Sequence, residues 1–208
     1  MIPVKVLSVR YLANASPALC RGLGAPEGYP SLGLITTDCD DATYIALDAA
    51  TKAAEVEVAY GRSFYAGAAN ASTPNAGEVI GILAGQTPGA VRSGMEAVLT
   101  ALQRVGFEEI EGVPCLAHTV SSVGSFLATE ADVARGTAIA YLIAPPLESM
   151  YAMDAALKAA DVTLCKLYGP PSETNFGGGL LSGTQSACDA ACAAFAEAVR
   201  EVAERPVG

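Results

Sequence analysis

Carboxylates gather in a short stretch in the first quarter of the chain. Asp38, Asp40 and Asp41 follow the apolar run Ser31 to Thr37, which predicts a buried strand. Glu78 begins another strand pattern further along. Closely spaced carboxylates attract a small cation or an amine, and two of them can act as general acid and general base. The alternative is that Asp40 or Asp41 only caps the following helix, which leaves the other acids available to line a cavity.

A further acid stands at the corresponding place in the second half. Glu148 follows Pro145-Pro146 at the predicted start of a helix. It either caps that helix or lines a cavity, and the sequence leaves both interpretations open.

Other chemistry finds little support in the residues. His118 is the only histidine and lies in a strand pattern, without a nucleophile elbow or a Ser-His-Asp order around it. Cys188 and Cys192 share a helix face, but no C-x-x-C motif accompanies them. We therefore expect no enzyme activity, no cofactor and no structural metal, and we expect the cysteines to be free thiols.

Charge and composition narrow the partners. The 208 residues carry a formal net charge of −10, with 51% apolar and 16% charged residues. No cluster of Lys and Arg could neutralise a phosphate backbone or an anionic membrane, so we expect neither nucleic acid nor membrane as partner. The start of the chain lacks the pattern of a signal peptide, and we expect a cytoplasmic protein. Few charges are available to cover the surface, so part of it could be buried against other copies.

An internal repeat sets the architecture. The segment 46–58 matches 152–164 without a gap, and Asp48 pairs with Asp154 at an offset of 106 residues (154 − 48 = 106). An offset near 100 residues suits a duplicated domain. We predict two similar α/β domains in tandem, residues 1–108 and 109–208, because the Gly- and Glu-containing stretch 106–114 separates the halves.

Each half carries a long loop pattern at the equivalent point of the repeat. Residues 61–77 are rich in Gly, Ala, Asn and Ser, and residues 169–179 begin with Gly-Pro-Pro and end with three glycines. Loops of this length are uncommon in compact domains and often carry function. If the copies are related by rotation, these loops converge at the symmetry axis. The glycine triplet Gly177 to Gly179 indicates a loop that moves or passes close to another backbone.

The motifs resemble a known family, the shell proteins of bacterial microcompartments. Each repeat contains Asp-Ala-Ala-x-Lys-Ala-Ala-(Glu/Asp)-Val, and the tandem arrangement is similar to the circularly permuted, tandem-domain shell proteins of the ethanolamine-utilisation type. The motifs that carry the resemblance are Ser31-Leu-Gly-Leu-Ile35, Asp40-Asp-x-Thr-Tyr44, Tyr60-Gly-Arg-Ser63, Tyr65-Ala-Gly-Ala68, Ala76-Gly-Glu-Val79, Ala140-Tyr-Leu-Ile-Ala-Pro-Pro-Leu-Glu148 and Pro171-Ser-Glu-Thr-Asn175.

The resemblance implies a fold, an assembly and a location. The fold would be two ferredoxin-like domains of the α+β class, each an antiparallel sheet with helices on one face. Three copies would form a flat, pseudo-hexameric trimer that tiles the shell of a microcompartment in the cytoplasm, beside other shell proteins. Small metabolites such as ethanolamine would cross it.

The resemblance also implies two kinds of opening. Smaller acidic channels map onto Asp40, Asp41 and Glu78, with Glu148 as a further member. A gated central pore would be lined by the two long loops, at Arg62, Ser63, Tyr65, Asn70, Glu173, Thr174, Asn175, Phe176, Gly177, Gly178 and Gly179. The glycine triplet departs from the bulkier residues expected of such a gate.

Other functions stay open at this point. The chain could be a regulatory module that binds a small amine, or a shell protein of a related compartment for alcohols or propanediol. A hydrolase with Asp40 and Glu78 as its acid/base pair is a third possibility.

Overall fold

The computed structural model describes residues 1–64, 77–170 and 176–207. The chain forms two compact units. The N-terminal unit comprises Pro3–Gly106 together with Gly124–Leu127. The C-terminal unit comprises Met1–Ile2, Phe107–Val123 and Ala128–Gly208.

The N-terminal unit contains a four-stranded antiparallel sheet with three helices. Its strands run in the order β1-β2-β4-β3. The elements in chain order are β1 (Val6–Leu12), α1 (Pro17–Gly22), β2 (Ser31–Thr37), α2 (Asp40–Ala53), β3 (Val56–Phe64), β4 (Glu78–Gly85) and α3 (Pro88–Ala101).

The C-terminal half of the chain repeats this arrangement with one added strand. Its sheet has the order β5-β6-β7-β9-β8, again antiparallel. The elements are β5 (Glu108–Ile110), β6 (Val113–Val120), α4 (Ser125–Ala131), β7 (Ala138–Ala144), α5 (Pro146–Ala159), β8 (Val162–Tyr168), β9 (Gly177–Gly183) and α6 (Gln185–Glu204).

The repeat seen in the sequence is confirmed in three dimensions. Helices α2 and α5 each have 14 residues, and their first residues, Asp40 and Pro146, are offset like the repeat. Strands β3 and β8 each carry one irregularity in register, at Ala59 and at Cys165, which are again equivalent. Because a bulge changes the local twist of a strand, its retention in both copies indicates a shared backbone path.

The two faces of the N-terminal sheet carry different layers. A Cβ added at Gly33 would meet Val91 and Met95 of α3, so this face packs against the helices. Leu32 and Ile82 belong to a separate buried cluster with residues around α1. Side chains alternate between the two faces of a strand. The long helices therefore cover one face of this sheet, and the short helix α1 covers the other. In the C-terminal unit, a single core joins the sheet to α5 and α6.

Threonines begin the last helix of each copy. Thr87 accepts a hydrogen bond from the amide of Ala90 at 3.1 Å, and Thr184 accepts one from Ala187 at 3.2 Å. Such N-caps satisfy amides that have no partner inside the helix. Within the described ranges, no helix has the length and apolar character needed to cross a membrane.

Asp48 of α2 is a fully buried carboxylate that holds a distant part of the chain. Its side chain accepts hydrogen bonds from the amides of Gly124 at 2.8 Å and Leu127 at 2.9 Å, and the Lys52 ammonium lies 3.2 Å away. Segment Gly124–Leu127 is therefore anchored to the N-terminal unit by a charged acceptor.

Candidate functional site

The acidic residues lie at one end of the N-terminal sheet. Asp40 and Asp41 form the first turn of α2, where negative charge complements the helix dipole. The N-cap position belongs to Cys39, so the prediction that one aspartate occupies it is wrong. The helix begins at Asp40, so Asp40 and Asp41 are themselves helical. Both carboxylates are buried, at 4% and 7% exposure.

Glu78 enters this end of the sheet from β4. Its neighbour Val79 pairs with Thr37 of β2 on one side and with Ser63 of β3 on the other. The start of β4 thus lies beside the end of β2, and two residues separate the end of β2 from the start of α2. Glu78 is 5% exposed, and within the described residues its Oε1 is buried without a hydrogen-bond partner. A buried carboxylate oxygen in this state costs free energy unless a donor or cation reaches it.

Asp40 is held in a small polar network. Its Oδ1 accepts the amide N–H of Asp41 at 2.9 Å, and the Ser63 hydroxyl hydrogen-bonds its carboxylate. The Tyr44 hydroxyl lies 2.6 Å from that of Ser63. Burial raises the pKa of Asp40 to about 6, although its hydrogen bonds oppose the shift. Burial and the neighbouring aspartates also raise the pKa of the Cys39 thiol, so this thiol stays protonated at neutral pH.

Tyr44 is a member of the site that the sequence analysis did not single out. A signal for it was available, since residues four apart share a face of a helix, and Tyr44 follows Asp40 by four.

The raised pKa of Asp40 predicts a pH dependence of stability. The unfolded carboxyl ionises near 3.8 and the folded one near 6, so the folded state binds the proton more tightly. Stability from this group is therefore complete at low pH and decreases as pH rises from about 4 to about 6, on the order of 2–3 kcal/mol in total. We expect Asp40→Asn to gain stability relative to the wild type across this range in urea unfolding at pH 4, 5, 6 and 7.

The other carboxylates are present in both the wild type and Asp40→Asn, so their contributions cancel when the two free energies of unfolding are subtracted. Asp161→Asn, which removes one exposed carboxylate, is the matched control for the loss of a negative charge. A difference for Asp40→Asn that does not change with pH would contradict the assignment.

The acidic set occurs in only one of the two copies. The repeat and the strand registers make Pro146 equivalent to Asp40, Leu147 to Asp41, and Phe176 to Glu78. Apolar residues thus replace all three acids. Glu148 lies one position further along, in the first turn of α5, and is half-buried in the C-terminal unit.

The structure describes six of the predicted pore-loop residues. Arg62 and Ser63 lie within β3, which ends at Phe64, so the predicted loop from Gly61 begins too early. Phe176 packs edge-on against Phe107 at 5.7 Å between ring centroids. Tyr65, Asn70, Glu173, Thr174 and Asn175 lie outside the described residues.

The glycine triplet is strand rather than loop, which corrects the sequence interpretation. Gly177, Gly178 and Gly179 begin β9, are buried, and pair with β7. A Cβ on Gly178 would lie 1.8 Å from the carbonyl oxygen of Leu142, and its φ is +148°. A Cβ on Gly179 would lie 2.4 Å from the carbonyl oxygen of Lys166. The glycines are needed because neighbouring backbones approach too closely for a side chain.

The chain is similar to known proteins in sequence and in fold. The BMC domain family matches residues 31–113. Bacterial microcompartment shell protein EutL of Clostridium perfringens (strain 13 / Type A) is 57% identical over 212 residues, which cover 100% of this chain and 98% of that protein. The solved structure of ethanolamine utilization protein EutL from Leptotrichia buccalis C-1013-b has a TM-score of 0.94 at 54% identity, covering 100% of this chain and 97% of that one.

A more distant structure shares the fold alone. The trimeric bacterial microcompartment shell protein PduB has a TM-score of 0.80 at 17% identity, over 96% of this chain and 89% of that chain. Two tandem copies of an antiparallel sheet with helices, one matched by the BMC domain family, define a bacterial microcompartment shell protein. Within that class the chain belongs to the EutL family, which confirms the resemblance noted in the sequence.

Proposed function

We propose that three copies of this chain close into a flat ring with a pseudo-sixfold outline and tile the shell of a microcompartment in the cytoplasm. The two halves of the chain, proposed as domains 1–108 and 109–208, would supply six similar lobes. The duplicated fold, the shell-protein names of the relatives and the trimeric state named for PduB support this assembly. Other shell proteins would surround the ring as partners. Its role would be passage of solutes, without catalysis.

We assign the central opening to the two segments predicted from the repeat. In the sequence, the segment that follows Phe64, the last residue of β3, and the segment that follows Tyr168, the last residue of β8, occupy corresponding places in the repeat. In a ring, equivalent segments meet around the axis and set the width and charge of the hole. Opening and closing of this pore would depend on these segments.

The acidic end of the N-terminal sheet is proposed as a binding site for a small amine. The observation that carries this proposal is the Oε1 of Glu78, which is buried without a hydrogen-bond partner among the described residues and lies at the same sheet end as Asp40 and Asp41. An ammonium group offers up to three donors and a positive charge, so it would satisfy this oxygen and stabilise the ionised form of Asp40. Because relatives carry ethanolamine utilisation in their names, ethanolamine is the first ligand to test.

The equivalents Pro146, Leu147 and Phe176 make the second copy unsuitable for a cation. Each chain would therefore hold one amine site, and a ring of three chains would hold three. Glu148 is not needed for this site, since it stands at the position equivalent to Ala42.

Replacement of Glu78 tests the amine site directly. We expect Glu78→Gln to weaken ethanolamine binding at least about tenfold by calorimetry at pH 7.5, because a charged hydrogen bond contributes about 1.5–3 kcal/mol. Affinity of the wild type should also decrease below pH 6, where Asp40 becomes protonated.

Two controls accompany this measurement. Glu96→Gln removes an exposed acid from α3 and should bind like the wild type, and ethylene glycol, which lacks the ammonium, should bind neither protein. The solution mass of Glu78→Gln should equal that of the wild type. Equal ethanolamine affinity in the two proteins would remove the acidic site from the proposal.

A further inference from the structure

The two copies of the repeat differ in what covers the outer face of their first long helix. In the N-terminal unit, Asp48 is fully buried beneath Gly124–Leu127. Its equivalent Asp154, on α5, is 64% exposed and pairs only with the neighbouring Lys158 in the described structure. The sequences around the two aspartates are similar, and Asp48 differs from Asp154 in being covered by another segment of the chain.

The covering segment also has an equivalent, and it too is exposed. Backbone hydrogen bonds fix the correspondence: Ala15 donates to Pro30 as Val123 donates to Thr137. Ala25 likewise donates to Cys20 as Val133 donates to Ala128. Ser16–Leu19 therefore corresponds to Gly124–Leu127. Leu127 is fully buried, whereas Leu19 is 44% exposed.

We propose that the exposed face of α5 and β8 is a docking surface for Ser16–Leu19 of a second copy of this chain. We name it the α5/β8 face, defined by Asp154, Leu157 and Leu167. The proposal rests on the self-association proposed above and assigns the residues that mediate it.

Side-chain sizes on the two surfaces support this occupant. In the N-terminal unit, the large Phe126 packs against Gly61, where a Cβ would lie 3.6 Å from its ring, and against Tyr44 at 5.9 Å between centroids. At the equivalent positions the sizes are exchanged. The small Ala18 corresponds to Phe126, and the large, 52% exposed Leu167 corresponds to Gly61. The side-chain volume that is missing at Ala18 is thus supplied by Leu167, as close packing requires.

Hydrogen-bonding groups on the two surfaces also change together. The amide of Ser125 donates to the Thr51 hydroxyl at 3.0 Å. The equivalent of Ser125 is Pro17, which has no amide hydrogen, and the equivalent of Thr51 is Leu157, which has no acceptor. Donor and acceptor are therefore absent together. Asp154 remains available for the amides of Ser16 and Leu19, as Asp48 is used by Gly124 and Leu127.

The contact would repeat from chain to chain. Its two sides are different parts of the molecule, so each copy offers one docking surface and one docking segment. Such head-to-tail contacts generate a closed ring when the rotation permits closure.

A size exchange between chains tests the proposal. Ala18→Phe places a ring against Leu167 and should raise the dissociation constant of the assembly at least about tenfold, measured by analytical ultracentrifugation over a concentration series. Leu167→Gly alone should also weaken the assembly, by loss of apolar contact. The double variant reproduces the Phe126–Gly61 pair and should return to within about threefold of the wild type.

Charge reversal gives a second measurement. Asp154→Arg should weaken the assembly at least about tenfold, whereas Glu96→Arg, at an exposed acid of α3, should leave it unchanged. Circular dichroism of dilute protein checks that each variant folds, since Ala18, Leu167 and Asp154 are exposed in the single chain.

The outcomes separate the two proposals. If the wild type forms a ring that Ala18→Phe and Asp154→Arg do not weaken, the docking surface is wrong and the ring stands. If Ala18→Phe weakens the assembly and adding Leu167→Gly does not restore it, the pairing of Ala18 with Leu167 is also wrong. A wild type that stays a single chain at all concentrations would overturn the ring itself.

Discussion

Replacement of Asp48 by asparagine should lower the free energy of unfolding by about 3 kcal/mol or more. The carboxylate is fully buried and accepts the amides of Gly124 and Leu127 beside the Lys52 ammonium. An asparagine turns one acceptor oxygen into a donor NH2, so one of these amides loses its partner and Lys52 loses its counter-charge. Each loss in a buried setting costs about 1–3 kcal/mol. Urea unfolding at one fixed protein concentration measures the difference.

The matched control for Asp48→Asn is Glu197→Gln. Glu197 of α6 also pairs with a cation of its own helix, Arg200, but the pair is solvent-exposed. Exposed pairs contribute roughly 0–1 kcal/mol, so this variant should unfold within about 0.5 kcal/mol of the wild type. Equal effects of the two substitutions would show that Gly124–Leu127 does not depend on the buried carboxylate.

Substitution of Gly178 by alanine should be as damaging, by a different route. A Cβ there would stand 1.8 Å from the Leu142 carbonyl oxygen, at a backbone φ of +148° that side chains rarely adopt. The obstacle is backbone of β7, which cannot rotate aside like a flexible side chain, so β9 must shift and its pairing weakens. We expect a loss of about 3 kcal/mol or more, or an insoluble product.

Gly169→Ala separates this steric effect from the general cost of replacing a glycine. Among the described residues, an added Cβ at Gly169 meets nothing within 4 Å, so that variant should be as soluble and about as stable as the wild type. If Gly178→Ala unfolds at the same urea concentration as Gly169→Ala, the close approach of β9 and β7 is not a constraint in solution.

Much of the fold was predictable because the two halves of the chain repeat each other in sequence. The repeat around Asp48 and Asp154 predicted two similar halves, and the apolar run Ser31 to Thr37 predicted strand β2 with its observed bounds. The clearest error was the glycine triplet. Gly177 to Gly179 indicate a loop by local propensity, yet they form a strand because β7 and β8 pass too near for side chains. That reason is tertiary and cannot be found in the local sequence.

The site was predictable in its residues but not in its energetics. Spacing placed Asp40 and Asp41 together, and a strand pattern brought Glu78 near. Burial of all three depends on how the ends of β2 and β3 lie beside the start of β4. The same arrangement leaves the Oε1 of Glu78 without a hydrogen-bond partner among the described residues. Asp48 shows the same limit. Its sequence context matches that of Asp154, but only contact with Gly124–Leu127 makes one indispensable and the other a surface residue.

The apolar equivalents of the acidic set have an evolutionary consequence. A ring assembled from six identical single-domain chains must repeat every mutation six times, so an acid introduced at one lobe appears at all of them. Fusion of two copies into one gene removes that constraint. The two halves of this chain can therefore differ, and one carries Asp40, Asp41 and Glu78 where the other carries Pro146, Leu147 and Phe176. The proposed ring of three chains would contain three acidic sets, whereas a ring of six identical lobes would contain six.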